Sequence, residues 1–451
     1  MVAAAAYRFG VPLRDERYGV TRRYSGKRGV VHLEIMAPDG APAWVWDRER
    51  LWNRVEAGER RKDSQLARLI EIGLPVEMSV DENIRLVRDY IAVEFVSKGM
   101  VADFCIRGDS TNPHSHILLT LRKATASGFG PKERGWNGKS ALSQWRAAWA
   151  DRANEHLARA GHRVRIDHRT LEAQQIELTP GRKIGVGRGR RGDQTLPNHL
   201  SERFSEQQRV ARANGDIILE DPTALLRAMT HQKAIFTRQE LLQFLQFRTD
   251  GAEQFEAAYR TVTESPELVA LGTDDLNQAR FTSRDMLEAE KSLLRRTASM
   301  AARRGHTVAV ALQIASASLF GLDDQQRRAF DYALQEGDAK TLVMLGDAGR
   351  DTLLSALRHA HDAAGFRTVI LGAREADWGR TLEPLARESV LVVEGSEMAA
   401  LKQLERIVAA ADRARAKIIL IADAEQLGAI HVETPFEWVL RAIGPSNEAK
   451  S

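Results

Sequence analysis

The chain reads as a multi-domain α/β protein: an N-terminal α+β domain with an antiparallel sheet and helices, a helical middle region and a C-terminal parallel α/β domain. Three observations predict this. Two short apolar runs, residues 101–106 and 114–121, flank the turn-rich Arg107-Gly108-Asp109-Ser110-Thr111-Asn112-Pro113, the pattern of paired strands. Residues 203–316 keep apolar positions mostly at helical spacing. Beyond Leu322, four apolar segments at 341–345, 368–371, 389–393 and 417–421 alternate with helical ones, which argues a parallel sheet. A chain of 451 residues is too long for one compact core, so two or three domains are expected. The division falls at 1–178, a basic Gly/Arg linker over 179–203, a helical region over 204–318, and 319–451.

Taken in order, residues 1–10 form an Ala-rich helical turn closed by Gly10 and carrying one phenol, Tyr7. A basic stretch from Arg14 to Arg28 leads into a strand over 29–36, which the Pro38-Asp39-Gly40 turn ends. Leu51, Val55, Leu66 and Leu69 under a charged surface predict one long amphipathic helix over 47–69. Residues 71–75 resemble a short strand. Residues 80–98 read as a helix with Asp81 and Glu82 in its first turn, where carboxylates suit the dipole. Residues 123–137 interleave glycines with basic and aromatic side chains, among them Lys132, Arg134 and Trp136. Such a run is a mobile loop gripping a single strand by phosphate contacts and base stacking, or an ordinary surface loop. A helix over 139–160 turns Trp145 and Trp149 to one core-facing side. The Gly/Arg run over 181–192, with Arg188 and Arg190, has the composition of a flexible linker able to lie on a phosphate backbone. In the middle region Asp221-Pro222-Thr223 opens a helix, and Thr237 and Asp274 are capping candidates.

Composition narrows the function classes. A formal charge of +4 is only mildly basic, so nucleic-acid affinity has to come from local patches. The lone Cys105 excludes an internal disulfide framework and fits a reducing compartment. No uninterrupted apolar run is long enough to span a bilayer, so a cytoplasmic location is expected. The chemically promising stretch is Asn112-Pro113-His114-Ser115-His116. Side chains alternate along a strand, so His114 and His116 project from one face. Two neutral imidazoles so placed can hold a divalent metal that polarises a phosphate oxygen; the pair alone equally fits two solvated or core-satisfied histidines.

The context of that pair is specific. Ala-Ala-Ala-Tyr7-Arg8, Val30-Val31-His32-x-Glu34, Leu74-Pro75, Asn112-Pro113-His114-x-His116, Gly128-Phe129-Gly130-Pro131-Lys132, Trp136-Asn137 and Arg165-Ile166-Asp167-His168-Arg169-Thr170-Leu171-Glu172-Ala173-Gln174 occur in this order. Together they resemble the MobA/MobL family of conjugative relaxases, with the closer likeness to Ti-type TraA proteins. The resemblance implies an HUH-type nickase domain over 1–178, N-terminally truncated, that cuts one strand at a plasmid origin of transfer. Tyr7 is then the nucleophile that stays on the 5′ end as a phosphotyrosine and leaves a free 3′ hydroxyl. His114 and His116 are ligands of a divalent metal, Mg or Mn. His32, Glu71 and Glu77, in nearby segments, are acid-base or orienting candidates, Glu71 being taken with Tyr7 as catalytic, and each equally fits an ordinary polar residue beside a strand or turn. Arg8, Arg107, Lys132, Arg134, Trp136, Arg188 and Arg190 are the DNA-binding candidates. The partners implied are single-stranded plasmid DNA at the origin, accessory relaxosome proteins and a type IV secretion coupling protein.

Two departures accompany the resemblance. The family usually places a third metal-binding histidine at the end of the preceding strand, where this chain has Arg107. A guanidinium cannot ligate a metal, so Asp103 or Asp109 is expected to supply an oxygen ligand, or Arg107 to clamp the phosphate directly. Family members also carry a further strand before the Ala-Ala-Tyr segment, and its loss is expected to expose a sheet edge. The alternative reading is therefore a catalytically impaired DNA-binding remnant of a TraA-like relaxase/helicase. Residues 319–451 resemble part of a RecD/TraA-like, P-loop-like helicase motor with degenerate Walker motifs. Gly346-Asp347-Ala348-Gly349-Arg350-Asp351-Thr352 is too short for a P-loop and lacks its lysine, and Glu394-Gly395 stands where an acidic pair belongs. ATP hydrolysis is not expected.

Overall fold

The computed structural model describes residues 1–24, 29–59, 61, 64–108, 112–180, 198–274, 277–344, 349–372, 382, 385–430 and 434–444. They form two compact units: residues 1–162 with 166–168, and residues 163–165 with those from 169 on.

The first unit is built on a four-stranded antiparallel sheet. Helix α1 (Val2–Phe9) buries Val2, Ala5, Ala6 and Phe9, the i, i+3, i+4, i+7 stripe, and stops at Gly10 in the left-handed conformation, φ 69°. A short hairpin follows, β1 (Leu13–Asp15) and β2 (Val20–Arg22), then β3 (Val30–Met36). Helix α2 (Arg48–Ala57) is opened by Asp47, whose carboxylate accepts from the amides of Glu49 and Arg50. Strand β4 (Ala67–Gly73), helix α3 (Val80–Glu94), strands β5 (Ala102–Arg107) and β6 (His114–Thr120), the β7 (Arg122–Thr125) and β8 (Gly128–Lys132) hairpin, and helix α4 (Lys139–Arg159) complete it. Sheet order is β3-β5-β6-β4. One face packs Phe104, Ile117 and Leu119 against α3 and α4, with Tyr90 and Trp145 in the core. The other packs Cys105 and Leu118 beneath α1 and α2, with Phe9 and Trp52.

Two sequence expectations fail here. The long helix over 47–69 ends at Gly58, and its distal part is strand β4. Leu66 and Leu69 happen to continue the helical spacing of Leu51 and Val55, but Leu69 stands on a strand opposite Leu118. The loop over 123–137 is largely the β7–β8 hairpin and a 3-10 turn at Arg134–Asn137.

In the second unit, helices α5 (Asn198–Glu220), α6 (Pro222–Gln232), α7 (Arg238–Gln246) and α8 (Gly251–Glu264) share a core with a small sheet of β9 (Phe236–Thr237), β10 (Leu268–Thr273) and β11 (Ala279–Ser283). Asp221 and Thr237 cap α6 and α7 as expected. Asp274 caps no helix: it closes the turn after β10, accepting from the amide of Gln278. Helices α9 (Arg284–Ala301), α10 (Val310–Phe320) and α11 (Asp324–Leu334) lead to the parallel sheet. Its strands are β12 (Ala339–Met344), β13 (Arg367–Gly372), β14 (Ser389–Glu394) and β15 (Lys417–Asp423), in the order β12-β15-β14-β13. Helices α10, α11 and α12 (Arg350–Ala363) cover one face; α9, α13 (Leu401–Ala414) and α15 (Pro435–Ile443), which follows α14 (Ala424–Ala429), cover the other. The linker run with Arg188 and Arg190 lies outside the described residues.

At the first residue of β15, Lys417 is fully buried and donates to the Gln335 carbonyl at 3.2 Å. Burial, reinforced by the charge of Lys340, pushes its pKa down to about 7. The unfolded chain holds this proton up to the ordinary lysine range, so folding is penalised below pH 7 and the penalty fades as pH rises toward 10. Lys417→Met should raise stability to urea most at pH 6 and least near pH 10; a gain that grows with pH would contradict this.

Candidate active site on the histidine strand

Register places the candidate residues. On β6, His114 stands opposite Arg107 of β5 and Gly73 of β4, and His116 opposite Cys105 and Glu71. Directly opposed residues share a face, so His114, His116, Arg107 and Glu71 all stand on the side of the sheet covered by α1 and α2. The two imidazoles meet edge to face, their centroids 5.1 Å apart.

Each ring is prepared differently. His114 Nδ1 lies 2.8 Å from the Asn112 carbonyl, an acceptor only, so the neutral tautomer of this ring has its proton on Nδ1 and its lone pair on Nε2. His116 is held neutral, its pKa pushed down to about 4, first by burial, with the neighbouring His114, Arg107 and Arg8 adding to the effect against Glu71. Its Nδ1 is buried without a hydrogen-bond partner, and Glu71 Oε2 lies 3.7 Å away. Glu71 itself is 62% exposed. The donor set thus fits two nitrogen ligands of a divalent ion. Among the described residues no group of three or more His, Cys, Asp or Glu is arranged to hold a metal.

Arg107 reaches α1 instead. Its Nη2 donates to the main-chain carbonyl of Arg8 at 2.7 Å, and the Cys105 thiol points at the same oxygen at 3.7 Å. A cation at the negative end of the α1 dipole is favourable, and the bond fixes the last turn of the helix one residue from Tyr7. Tyr7 is 46% exposed and packs edge to face on Tyr24, centroids 5.3 Å apart. Arg107→Ala should cost about 1–3 kcal/mol of stability, as expected for a hydrogen bond from a charged donor, read by urea denaturation. A loss no larger than that of an exposed arginine would remove Arg107 from this role.

Other sequence candidates scatter. Asp103 is no metal donor: Arg48 holds it with Nε and Nη2 at 2.8–2.9 Å and Trp52 Nε1 at 2.8 Å, all beneath α2. Asp109 lies outside the described residues. His32 opposes Ile106 on the opposite face, where Glu34 holds its Nε2 at 2.7 Å. Glu77 is exposed in the turn before α3. Arg8 Nη1 donates back to Ala4 O at 3.4 Å. Lys132 donates to Gln65 O at 2.5 Å and pairs with Glu59 at 3.3 Å, Arg134 is exposed, and Trp136 packs against the α3–α4 core. Sequence reasoning missed the Asn112 carbonyl, whose signal was the Asn-Pro dipeptide that holds the backbone extended ahead of His114, and the Arg8 carbonyl, for which no local signal exists.

Residues 1–191 match the model of the MobA/MobL family. The mobilization protein MobL of Acidithiobacillus ferridurans is 31% identical over 256 residues, 48% of this chain and 67% of that protein. The chain belongs to the MobA/MobL family. The conjugal transfer protein TraA of Agrobacterium fabrum (strain C58) is 30% identical over 98% of this chain and 46% of its own length, so the chain spans about half the length of the TraA relatives it matches. Residues 376–448 match the model of an AAA domain. A solved structure described as "Molecular Basis of Vancomycin Resistance Transfer in Staphylococcus aureus" is 34% identical over 38% of this chain and 90% of that one, with a TM-score of 0.35, too low to support a fold argument. In this chain Arg107 of β5, the neighbour of the histidine strand, bonds to the last turn of the tyrosine helix. No helix among the described residues is long and apolar enough to cross a membrane.

Proposed function

We propose that this MobA/MobL protein is a conjugative relaxase that nicks one strand of plasmid DNA at its origin of transfer through a 5′-phosphotyrosine at Tyr7. The observation that carries the reading is the bond from Arg107 to the Arg8 carbonyl, which holds the end of the tyrosine helix to β5, the strand paired with β6 of His114 and His116, whose other neighbour β4 bears Glu71. In the proposed step the Tyr7 Oη–P bond forms and the P–O3′ bond breaks; Glu71 takes the phenolic proton and the released 3′ oxygen gains one from solvent. Religation is the reverse. A divalent ion, Mg or Mn, held by His114 and His116 would neutralise charge on the non-bridging oxygens. Half-exposed Tyr7 and exposed Glu71 leave the site open to a strand end. Accessory relaxosome proteins and a type IV coupling protein are the proposed partners.

For the second unit we propose a DNA-binding platform in place of a motor. Arg350 donates to Asp423 at 2.8 Å where the C-terminal ends of β12 and β15 meet, the crevice in which parallel α/β sheets bind nucleotides. A supercoiled plasmid carrying the DNA that flanks this gene tests the enzymatic reading. Relaxation to open circles with Mg or Mn, lost in Tyr7→Phe, is expected. Undiminished relaxation by Tyr7→Phe would sink it, and binding without relaxation would leave the remnant reading.

A further inference from the structure

At the end of β6 away from the histidines, the first unit carries a pocket of about 350 Å³, lined in part by Trp44, Arg54, Glu59, Arg122, Ser127 and Phe129. That is within the ~300–1,000 Å³ of small-ligand sites. Its walls suit a planar aromatic guest. Trp44 and Phe129 meet edge to face with centroids 5.3 Å apart, and the Arg54 guanidinium lies 4.4 Å from the Trp44 centroid. Arg54 is exposed and, among the described residues, its side chain has neither ion pair nor hydrogen bond, so its donor fork is available. The carboxylate at the rim is spoken for: Glu59 accepts from Arg122 at 3.0 Å and pairs with Lys132 at 3.3 Å. Arg54 and Arg122 thus line the pocket beside one carboxylate that is already paired.

The pocket and the histidines lie on the same face of the sheet. Trp44, Val55, Leu66 and Phe129 belong to the core that covers Leu118, two residues along β6 from His116. At ~3.4 Å per residue, Leu121 at the pocket is about 17 Å along the chain from His116. Between them the edge strand β4 leaves Leu69 38% exposed and Glu71 62% exposed on that face, an open lane a few extended nucleotides long.

We propose that this pocket receives one unpaired guanine of the single strand whose backbone follows β4 to the histidine face. Trp44 and Phe129 supply the stacking surface. Arg54 supplies the paired donors that match guanine O6 and N7, a fit no other base offers. The presence of DNA on this face rests on the relaxase reading above.

The test is fluorescence anisotropy with the full chain and labelled oligothymidylates of about 15 nucleotides, with and without one central guanine. Wild type is expected to bind the guanine strand roughly fivefold or more tightly, the discrimination one bidentate arginine contact gives. Arg54→Ala should bring the ratio of the two affinities to about one, and Arg54→Lys, which keeps the charge without the paired donors, should do the same. Trp44→Ala should weaken binding of both strands, and Trp44→Phe, which keeps an aromatic wall under the core, should restore it. Equal affinity of wild type for the two strands, or a preference that survives Arg54→Ala, would overturn the proposal. Because the assay reads binding alone, loss of cleavage would sink the enzymatic reading only, and a cleaving chain with no guanine preference would sink this one only.

Discussion

Alanine at both His114 and His116 should lower strand cleavage by roughly a thousandfold or more while single-stranded DNA binding persists. The magnitude is that of losing the proposed metal, which would stabilise transition-state charge by several kcal/mol, at ~1.4 kcal/mol per tenfold in rate. Binding should persist because His116 is neutral well above its pKa of about 4 and the phosphate grip lies with the arginines and lysines of the unit. The two properties are separable by gel shift and by nicking of the same oligonucleotide. Equal loss of binding and cleavage would mean that the histidines hold the sheet together and do no chemistry.

Asp103→Ala should be the most destabilising single change in the first unit, about 3–5 kcal/mol. Asp103 is fully buried on β5, and Arg48 and Trp52 of α2 both donate to it. Removing the carboxylate leaves the Arg48 guanidinium, largely buried, with its counter-charge gone, and breaks the tie between α2 and the sheet on which α1 also rests. Urea denaturation followed by tryptophan fluorescence reads the loss. Replacing Asp103 and Arg48 together by apolar residues should recover much of it, since the cost lies in the uncompensated charge. A loss below about 1 kcal/mol for Asp103→Ala would place this trio among ordinary surface pairs.

The histidine face was legible in the sequence because strand alternation is deterministic: once 114–121 is a strand, His114 and His116 share a side whatever the partners are. Helix α1 was legible for a similar reason, its alanines stopping at a glycine that adopts the left-handed conformation. Strand β4 was not, because Leu66 and Leu69 continue a helical spacing across Gly58, and only pairing with β6 decides the conformation. The β7–β8 hairpin hid behind its glycines, which signal turn and loop as strongly as strand. Asp274 carries the side chain of a cap, yet tertiary pairing of β10 with β11 uses it in a turn. Least legible were the contacts that define the site: the Arg107 side chain meets a backbone oxygen 99 residues away, and Trp44 meets Phe129 across 85 positions. Such contacts follow from the fold and leave no local pattern.

A covalent-adduct assay reads the proposed Tyr7 chemistry directly. The purified chain is incubated with single-stranded oligonucleotides tiled across the DNA flanking its gene, with Mg or Mn, and the denaturation-resistant product is digested and mapped by mass spectrometry. A metal-dependent adduct is expected in which a 5′ phosphate is carried on the peptide containing Tyr7, absent from Tyr7→Phe. An adduct on any other residue, or one that forms undiminished in Tyr7→Phe, would contradict it.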